Sequence, residues 1–376
     1  LSRIERRELA PDYSVARLIN GGWQLAADHE TTVEGRGADR GRTDRGRTDR
    51  GRTDRGRVDR GRVVGELVSL AEAGFTTFDC ADIYTGVEEL YGELARCWRA
   101  FGRPIEDLQI HTKYVPDRSS LAALDRRAIT RAVNRSLDRL GVERLDLVQF
   151  HWWDFEIPGW VEAAATLAEL RAAGKIREIG VTNFDCRRLG ALLEAGVPVA
   201  AHQVQYSLLD RRPEHGMVEL CIAYDVALLC YGTLAGGLLT ERWLGAEAPT
   251  PGEEANRSLA KYRLIVEEAG GWQAFQGLLA ALAEVADRRQ ASLANVAARW
   301  VLDRPGVTAA IVGAASTDHL EENARLFELE LDAQDRAELE AALGSCPSPA
   351  GDPYELEREP GGRHGAILRT ELHGEV

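Results

Sequence analysis

Lysine is almost missing from this chain. Of 46 basic residues only Lys113, Lys175 and Lys261 are lysines; all the others are arginines. Arginine stays charged and cannot serve as a compact ammonium of adjustable pKa, so a lysine kept against this bias points to a need for one. Lys113 is singled out because it lies in a strand-like apolar run. Long apolar runs are absent as well. No stretch approaches the roughly 18 residues of a membrane span, and LSRIERRELA at the start has charges but no apolar segment of a leader peptide. Leu1 rather than Met opens the chain, which leaves an upstream segment open. The six cysteines form no CxxC pair, and none stands at metal-ligand spacing with a histidine. No metal is expected, and scattered thiols suggest a reducing, cytoplasmic setting.

What is present divides into two unlike parts. The net charge is −14, which argues against a general nucleic-acid binder. Yet DRGRT recurs every five residues from about Asp39, and residues 36–62 contain eleven Arg and five Asp. The remainder is therefore more acidic than the total suggests. The repeat unit has no apolar residue until Val58, so it cannot bury a face, and disorder is expected over 36–62. Two readings stand: a neutral expansion in a surface loop, or a basic segment for anionic ligands.

Outside the repeat, short apolar runs alternate with amphipathic stretches. Expected strands are Val15–Trp23, Phe75–Ala81, Leu108–Val115, Leu145–Trp152, Ile176–Thr182, Ala201–Tyr206, Ala227–Tyr231 and Ala309–Val312. Runs such as LDLVQF and AAIVGA suit strands buried on both faces, as in a parallel sheet. Helix-like stretches lie between them, so the pattern predicts a (β/α)8 TIM barrel. The expected organisation is a single barrel domain over 1–343, interrupted by the repeat, then an irregular tail over 344–376 laid on the surface. The stretch from Ala235 to Gln290 is too long for a loop and should contain extra helix.

Working residues of such barrels sit at the C-terminal strand ends. Those ends offer Asp79, Tyr84 just beyond it, Lys113 and His151. A tyrosine hydroxyl is a poor proton donor at neutral pH, with an ordinary pKa of about 10. A nearby ammonium stabilises its phenolate. A carboxylate would hold that lysine, and an imidazole would orient a carbonyl oxygen. Such a set suits protonation of an oxygen as hydride arrives at carbon. Trp23, Trp152 and Trp153 stand at strand ends and are read as walls of a substrate pocket. His111, His202 and His319 are read as satisfied structural histidines.

These residues bring the sequence close to a known family. FDCADIY (Phe78–Tyr84), HTKY around Lys113 and QFHWWD around His151 resemble motifs of the aldo-keto reductase superfamily. GKIREIGVTNF, QVQYSLLDRR, YGTLAGGLLT and IVGAASTDHLEEN resemble its later blocks in the right order. The similarity spans roughly 13–343. It implies NAD(P)H-dependent reduction of an aldehyde or ketone, with NADP or NAD as cofactor and a small carbonyl or sugar as substrate. Tyr84 would be the general acid, Lys113 would depress its pKa, and Asp79 would pair with Lys113. His151 would orient the carbonyl. Gly22, Thr182, Asn183 and Gln203 would hold the cofactor, with Tyr231 stacking on its nicotinamide. Gly232, Leu234 and Gly236 would cover the pyrophosphate, and Glu322 and Asn323 would meet the adenine. The stretch GAAS lacks the basic residue that NADP-preferring members carry near Ala315, and His319 replaces a frequent Arg or Gln. NADH use therefore stays open, with Arg325 as an alternative cation. Rival readings are an oxidative sugar, lactol or alcohol dehydrogenase and a nicotinamide-binding regulatory subunit. No membrane or nucleic-acid partner is expected.

Overall fold

A computed structural model describes residues 4–26, 60–250 and 257–373. Its first strands are β1 (Arg6–Ala10), β2 (Tyr13–Ala16) and β3 (Leu18–Gly21). Helix α1 (Arg60–Glu72) follows, then β4 (Thr77–Asp79), α2 (Val87–Ala100), β5 (Gln109–Tyr114), α3 (Arg126–Leu140) and β6 (Leu145–Phe150). The next pairs are α4 (Trp160–Ala172) with β7 (Ile176–Thr182), α5 (Cys186–Glu194) with β8 (Val199–Gln205), and α6 (Met217–Ala223) with β9 (Ala227–Tyr231). Helices α7 (Arg257–Glu268), α8 (Gly271–Arg289) and α9 (Leu293–Leu302) precede β10 (Val307–Gly313). The chain ends through α10 (Leu320–Arg325), α11 (Ala333–Leu343), α12 (Glu355–Arg358) and α13 (Arg363–Ala366).

Strands β3 to β10 close in the order β10-β3-β4-β5-β6-β7-β8-β9, all neighbours parallel. This is the expected (β/α)8 barrel. Local signals match the elements. Asp125 caps α3 by accepting from Ala128 N, and Gly141 ends it with φ of 64°, a conformation that glycine adopts without a Cβ penalty. The long excursion after β9 does hold helix, as α7 and α8.

Three expectations change. The run Val15–Trp23 is not one strand. Ala16 pairs with Arg6 in a β1–β2 hairpin, whereas Leu18 pairs with Ala310 in the barrel. Arg17 makes the switch: its guanidinium donates to the carbonyls of Leu302 and Thr308, fixing the corner. The hairpin plugs the barrel floor, where Leu9, Tyr13 and Val15 pack on Ile19, Leu147, Leu229 and Ile311.

Second, Arg60 to Arg62 are helical, because they form the first turn of α1 ahead of its buried Val63 and Val64. The rest of the 36–62 repeat, and the disorder expected for it, lie outside the described residues.

Third, the tail is not merely laid on the surface. Arg212 donates twice to Asp210, at 2.9 and 2.7 Å, and once to Glu357 at 3.1 Å. All three side chains are essentially unexposed. A buried charge left without its partner is costly, at about 3–5 kcal/mol, so this cluster ties α12 to the barrel. From there Thr370 O accepts from Arg118 N, and Glu371 accepts from Ser119. The tail thus crosses the C-terminal end of the barrel.

Candidate active site

Parallel strands bring their C-terminal ends to one rim. Asp79 ends β4, Lys113 is one residue from the end of β5, and His151 directly follows β6. Lys113 Nζ donates to Asp79 Oδ2 at 2.5 Å and to Cys80 O at 2.8 Å. Burial alone would pull the ammonium's pKa down, but the charges of Asp79 and Tyr84 outweigh it and leave it raised. The lysine is therefore a fixed cation. Its Nζ lies 5.1 Å from the Tyr84 ring centroid.

Burial dominates the Tyr84 hydroxyl and raises its pKa, while Lys113 pulls in the opposite direction. The lysine thus acts in the expected direction, against a larger opposing effect of burial. Tyr84 is held protonated, which is the form that an acid requires.

His151 is also set by burial, which lowers its pKa to about 3, aided by the charge of Arg358. The ring is neutral in the working pH range. Its Nδ1 lies 3.2 Å from Thr182 O, and a carbonyl oxygen only accepts, so Nδ1 carries the proton. Nε2 then bears a lone pair, and it is buried without a partner. A lone pair cannot hydrogen-bond a carbonyl oxygen. In that tautomer Nε2 presents an acceptor.

Pattern reasoning missed one member of the cluster. Gln149 Nε2 donates to Asp79 Oδ1 at 2.7 Å, and Gln203 Nε2 donates to the same oxygen at 2.9 Å and to Gln149 Oε1 at 2.7 Å. The signal was there in the alternation of a strand, since Gln149 lies two residues before His151 and faces the same side. Gln203, expected at the cofactor, is therefore part of the Asp79 network.

The remaining predicted residues scatter along the rim. Asn183, with φ of 61°, accepts from Tyr231 OH at 2.9 Å. Thr182 Oγ1 donates to Gln203 O. Gly22 donates its N–H to Asp79 O, and a Cβ there would fall 2.6 Å from Tyr91 OH. Its bareness is thus already required by packing. Gly232 and Gly236 lie under α7: a Cβ would fall 2.3 Å from the Tyr262 hydroxyl at the first and 2.6 Å from the Tyr262 ring at the second. Between them Leu234 is half-buried, and the Thr233 hydroxyl is buried without a partner. Glu322 lines an open cleft of about 990 Å³ with Asp318, Glu321, Arg289 and Arg325. Asn323 donates its backbone N–H to His319 O in the adjoining turn.

The tryptophans do not act alike. The Trp23 ring stands edge-on to Tyr84 at 5.0 Å, and Trp153 stands edge-on to His151 at 4.4 Å. Trp152 is fully buried, and its Nε1 donates to the carbonyls of Asp154 and Ile157. It belongs to the core, because consecutive residues at a strand end face opposite ways, and the expectation that it walls the pocket is corrected. Its place is taken by Tyr354 from the tail, whose ring stands 5.6 Å from His151. Arg358 anchors this wall by donating to Trp152 O at 2.8 Å and Trp153 O at 3.2 Å.

The residues present suit a dinucleotide at the rim. Among the described residues His151 Nε2 and Thr233 Oγ1 are buried polar atoms with no partner, and a polar cleft opens beside Glu322. Among the described residues no group of acidic, histidine or cysteine side chains is arranged to hold a metal ion. No described helix is long and apolar enough to cross a membrane.

Known proteins share this architecture. The model of the aldo/keto reductase family matches residues 49–343. The chain is 30% identical to aldo-keto reductase YhdN of Bacillus subtilis over 58% of this chain and 64% of that protein. It is 28% identical to the NADH-specific methylglyoxal reductase of Escherichia coli over 59% of this chain and 66% of that one. The chain thus spans just under two thirds of the length of both relatives. Among solved structures, a thermostable aldo-keto reductase with the inhibitor epalrestat superposes with a TM-score of 0.65 at 25% identity, covering 91% of this chain and all of that one.

Proposed function

The chain belongs to the aldo/keto reductase family, and from that premise we propose that it reduces a small aldehyde or ketone with a nicotinamide cofactor, Tyr84 acting as general acid. The observation that carries this reading is the buried ion pair of Lys113 and Asp79, with Lys113 Nζ 5.1 Å from the Tyr84 ring centroid. The cofactor, when bound, supplies the hydride. Tyr84 gives its proton to the carbonyl oxygen as negative charge grows there. Lys113 is fixed by Asp79 and Cys80 O, and it stabilises the phenolate that this transfer leaves. Asp79 is held in turn by Gln149 and Gln203. His151 Nε2 accepts from a hydroxyl, either the alcohol of the product or a hydroxyl beside the carbonyl. This favours hydroxy-aldehydes and hydroxy-ketones over plain ones. Trp23, Trp153 and Tyr354 exclude water from the reacting atoms.

The cofactor groove supports a further choice. The cleft beside Glu322 has more carboxylates than cations on its walls, and Arg325 sits among Glu321, Glu322 and Glu328. Glu66 accepts from Thr317 N and Oγ1, which takes donors that an anion could use. A ribose 2′-phosphate is disfavoured there, so NADH is the preferred partner. The relative named as NADH-specific is in keeping with this.

The test pairs binding with turnover. Tyr84→Phe should lower kcat by about 10²–10⁴-fold, the range for loss of one proton-transfer group. NADH affinity, followed by fluorescence titration, should stay as in the wild type. Intact turnover of Tyr84→Phe on an aldehyde and hydroxy-aldehyde panel would remove Tyr84 from its role.

A further inference from the structure

Two of the three lysines have plain roles: Lys113 stands beside Tyr84, and Lys175 Nζ donates to Asn134 Oδ1 on the outer helical layer. Lys261 has neither. It lies on α7 with its Nζ 4.9 Å from the ring of Tyr231, 5.6 Å from Tyr262 and 5.8 Å from Tyr354. Its nearest carboxylate is Glu357, at 3.9 Å. That is too far for a good hydrogen bond, and Glu357 Oε1 is itself buried without one. The other oxygen of Glu357 is held by Arg212. An ammonium is thus kept among three aromatic faces, which attract cations, at the ring proposed above to carry the nicotinamide.

We infer that Lys261 makes this site distinguish the two redox states of its cofactor, favouring the reduced form and rejecting the oxidised one. The inference rests on the functional reading above. Reduced nicotinamide is neutral, whereas the oxidised ring carries a positive charge. A ring stacked on Tyr231 either displaces the ammonium or lies against it. Displacement meets the same resistance for both forms. Proximity is felt by the charged form alone, because like charges repel in a pocket shielded from water. Carbonyl reduction consumes the neutral form and releases the charged one, so this cation speeds product exchange and biases the site towards reduction. The neighbouring charges are Glu357, Arg212 and Asp210. None of them is removed when Lys261 alone is changed.

The experiment is a set of equilibrium titrations of the full chain with NADH, NAD+, NADPH and NADP+, using wild type, Lys261→Met and Lys261→Arg. Lys261→Met should tighten binding of the oxidised forms by about fivefold or more, the effect of one charge at about 4 Å under near-aqueous screening. Affinity for the reduced forms should hold. Lys261→Arg, which keeps the charge, should retain the wild-type preference. An equal oxidised-to-reduced ratio in wild type and Lys261→Met would overturn the inference. So would a parallel loss of affinity for both forms, which means packing alone. A wild type that binds none of the four would overturn the functional reading together with this one, whereas binding without discrimination leaves the functional reading intact.

Discussion

Asp79 accepts three side-chain hydrogen bonds, from Lys113, Gln149 and Gln203. A buried carboxylate needs such donors, since each missing one leaves charge without solvation. Gln149→Leu keeps the approximate volume and removes one donor. We expect it to lower stability by about 1–3 kcal/mol, the cost of an unsatisfied buried group, as read from urea unfolding. It should also reduce kcat while leaving cofactor affinity unchanged, because Gln149 touches only the Asp79 network. Asp79, Tyr84, Lys113 and His151 were legible from the sequence because each follows an apolar run that ends at the rim. Gln149 was hidden in plain sight, since a glutamine inside LDLVQF looks like a polar interruption until its alternation with His151 is used.

At the scale of elements, the tail behaves as a working part of the barrel top. Its last described segment closes on His373, whose Nδ1 lies 3.1 Å from Asp117 and whose Nε2 lies 3.2 Å from Asp82. Both carboxylates accept, so both ring nitrogens donate, and the hydrogen bond to Asp82 is the main cause of a raised pKa. Arg135 also acts on Asp82. The sign follows from linkage. A histidine raised on folding adds stability that is complete below its unfolded pKa of about 6.5 and is lost as pH climbs through the folded value. Tail cleavage by a protease added at low concentration should therefore accelerate between mildly acid and mildly alkaline pH. His373→Asn should flatten that dependence; a wild-type rate independent of pH would show that the clasp does not depend on protonation. None of this was legible, because Gly- and Pro-rich tail sequence carries no period. Its order comes from distant partners such as Arg212 and Asp117. The floor hairpin escaped notice for the opposite reason. Its second strand and β3 form one continuous apolar run, and only the change of pairing partner at Arg17 divides them.

For the whole molecule, charge is the feature that sequence reading recovers best and structure refines. The acidic rim around Glu322 would repel a dinucleotide at long range, and the basic repeat falls between two described segments of the chain. The described chain stops after Ala26, which follows the Trp23–Leu25 turn beside Tyr84, and resumes at Arg60. Deleting residues 36–59 should raise the KM for NADH and reduce the salt dependence of that KM, because screened attraction between the repeat and the cofactor would be gone. Identical salt profiles for the two proteins would exclude a role in steering.

The barrel also has an order of assembly written into its seams. Its closing seam joins Leu18 to Ala310, so the first barrel strand waits for nearly the whole chain before it gains its second neighbour. The roof formed by Tyr354 and Glu357 comes later still. During synthesis, which proceeds from the N-terminus, Tyr84 and Lys113 exist long before the tail segment that brings Tyr354 beside His151. A nascent chain with β10 clear of the ribosome and Tyr354 still to emerge is therefore a closed barrel with an unroofed pocket.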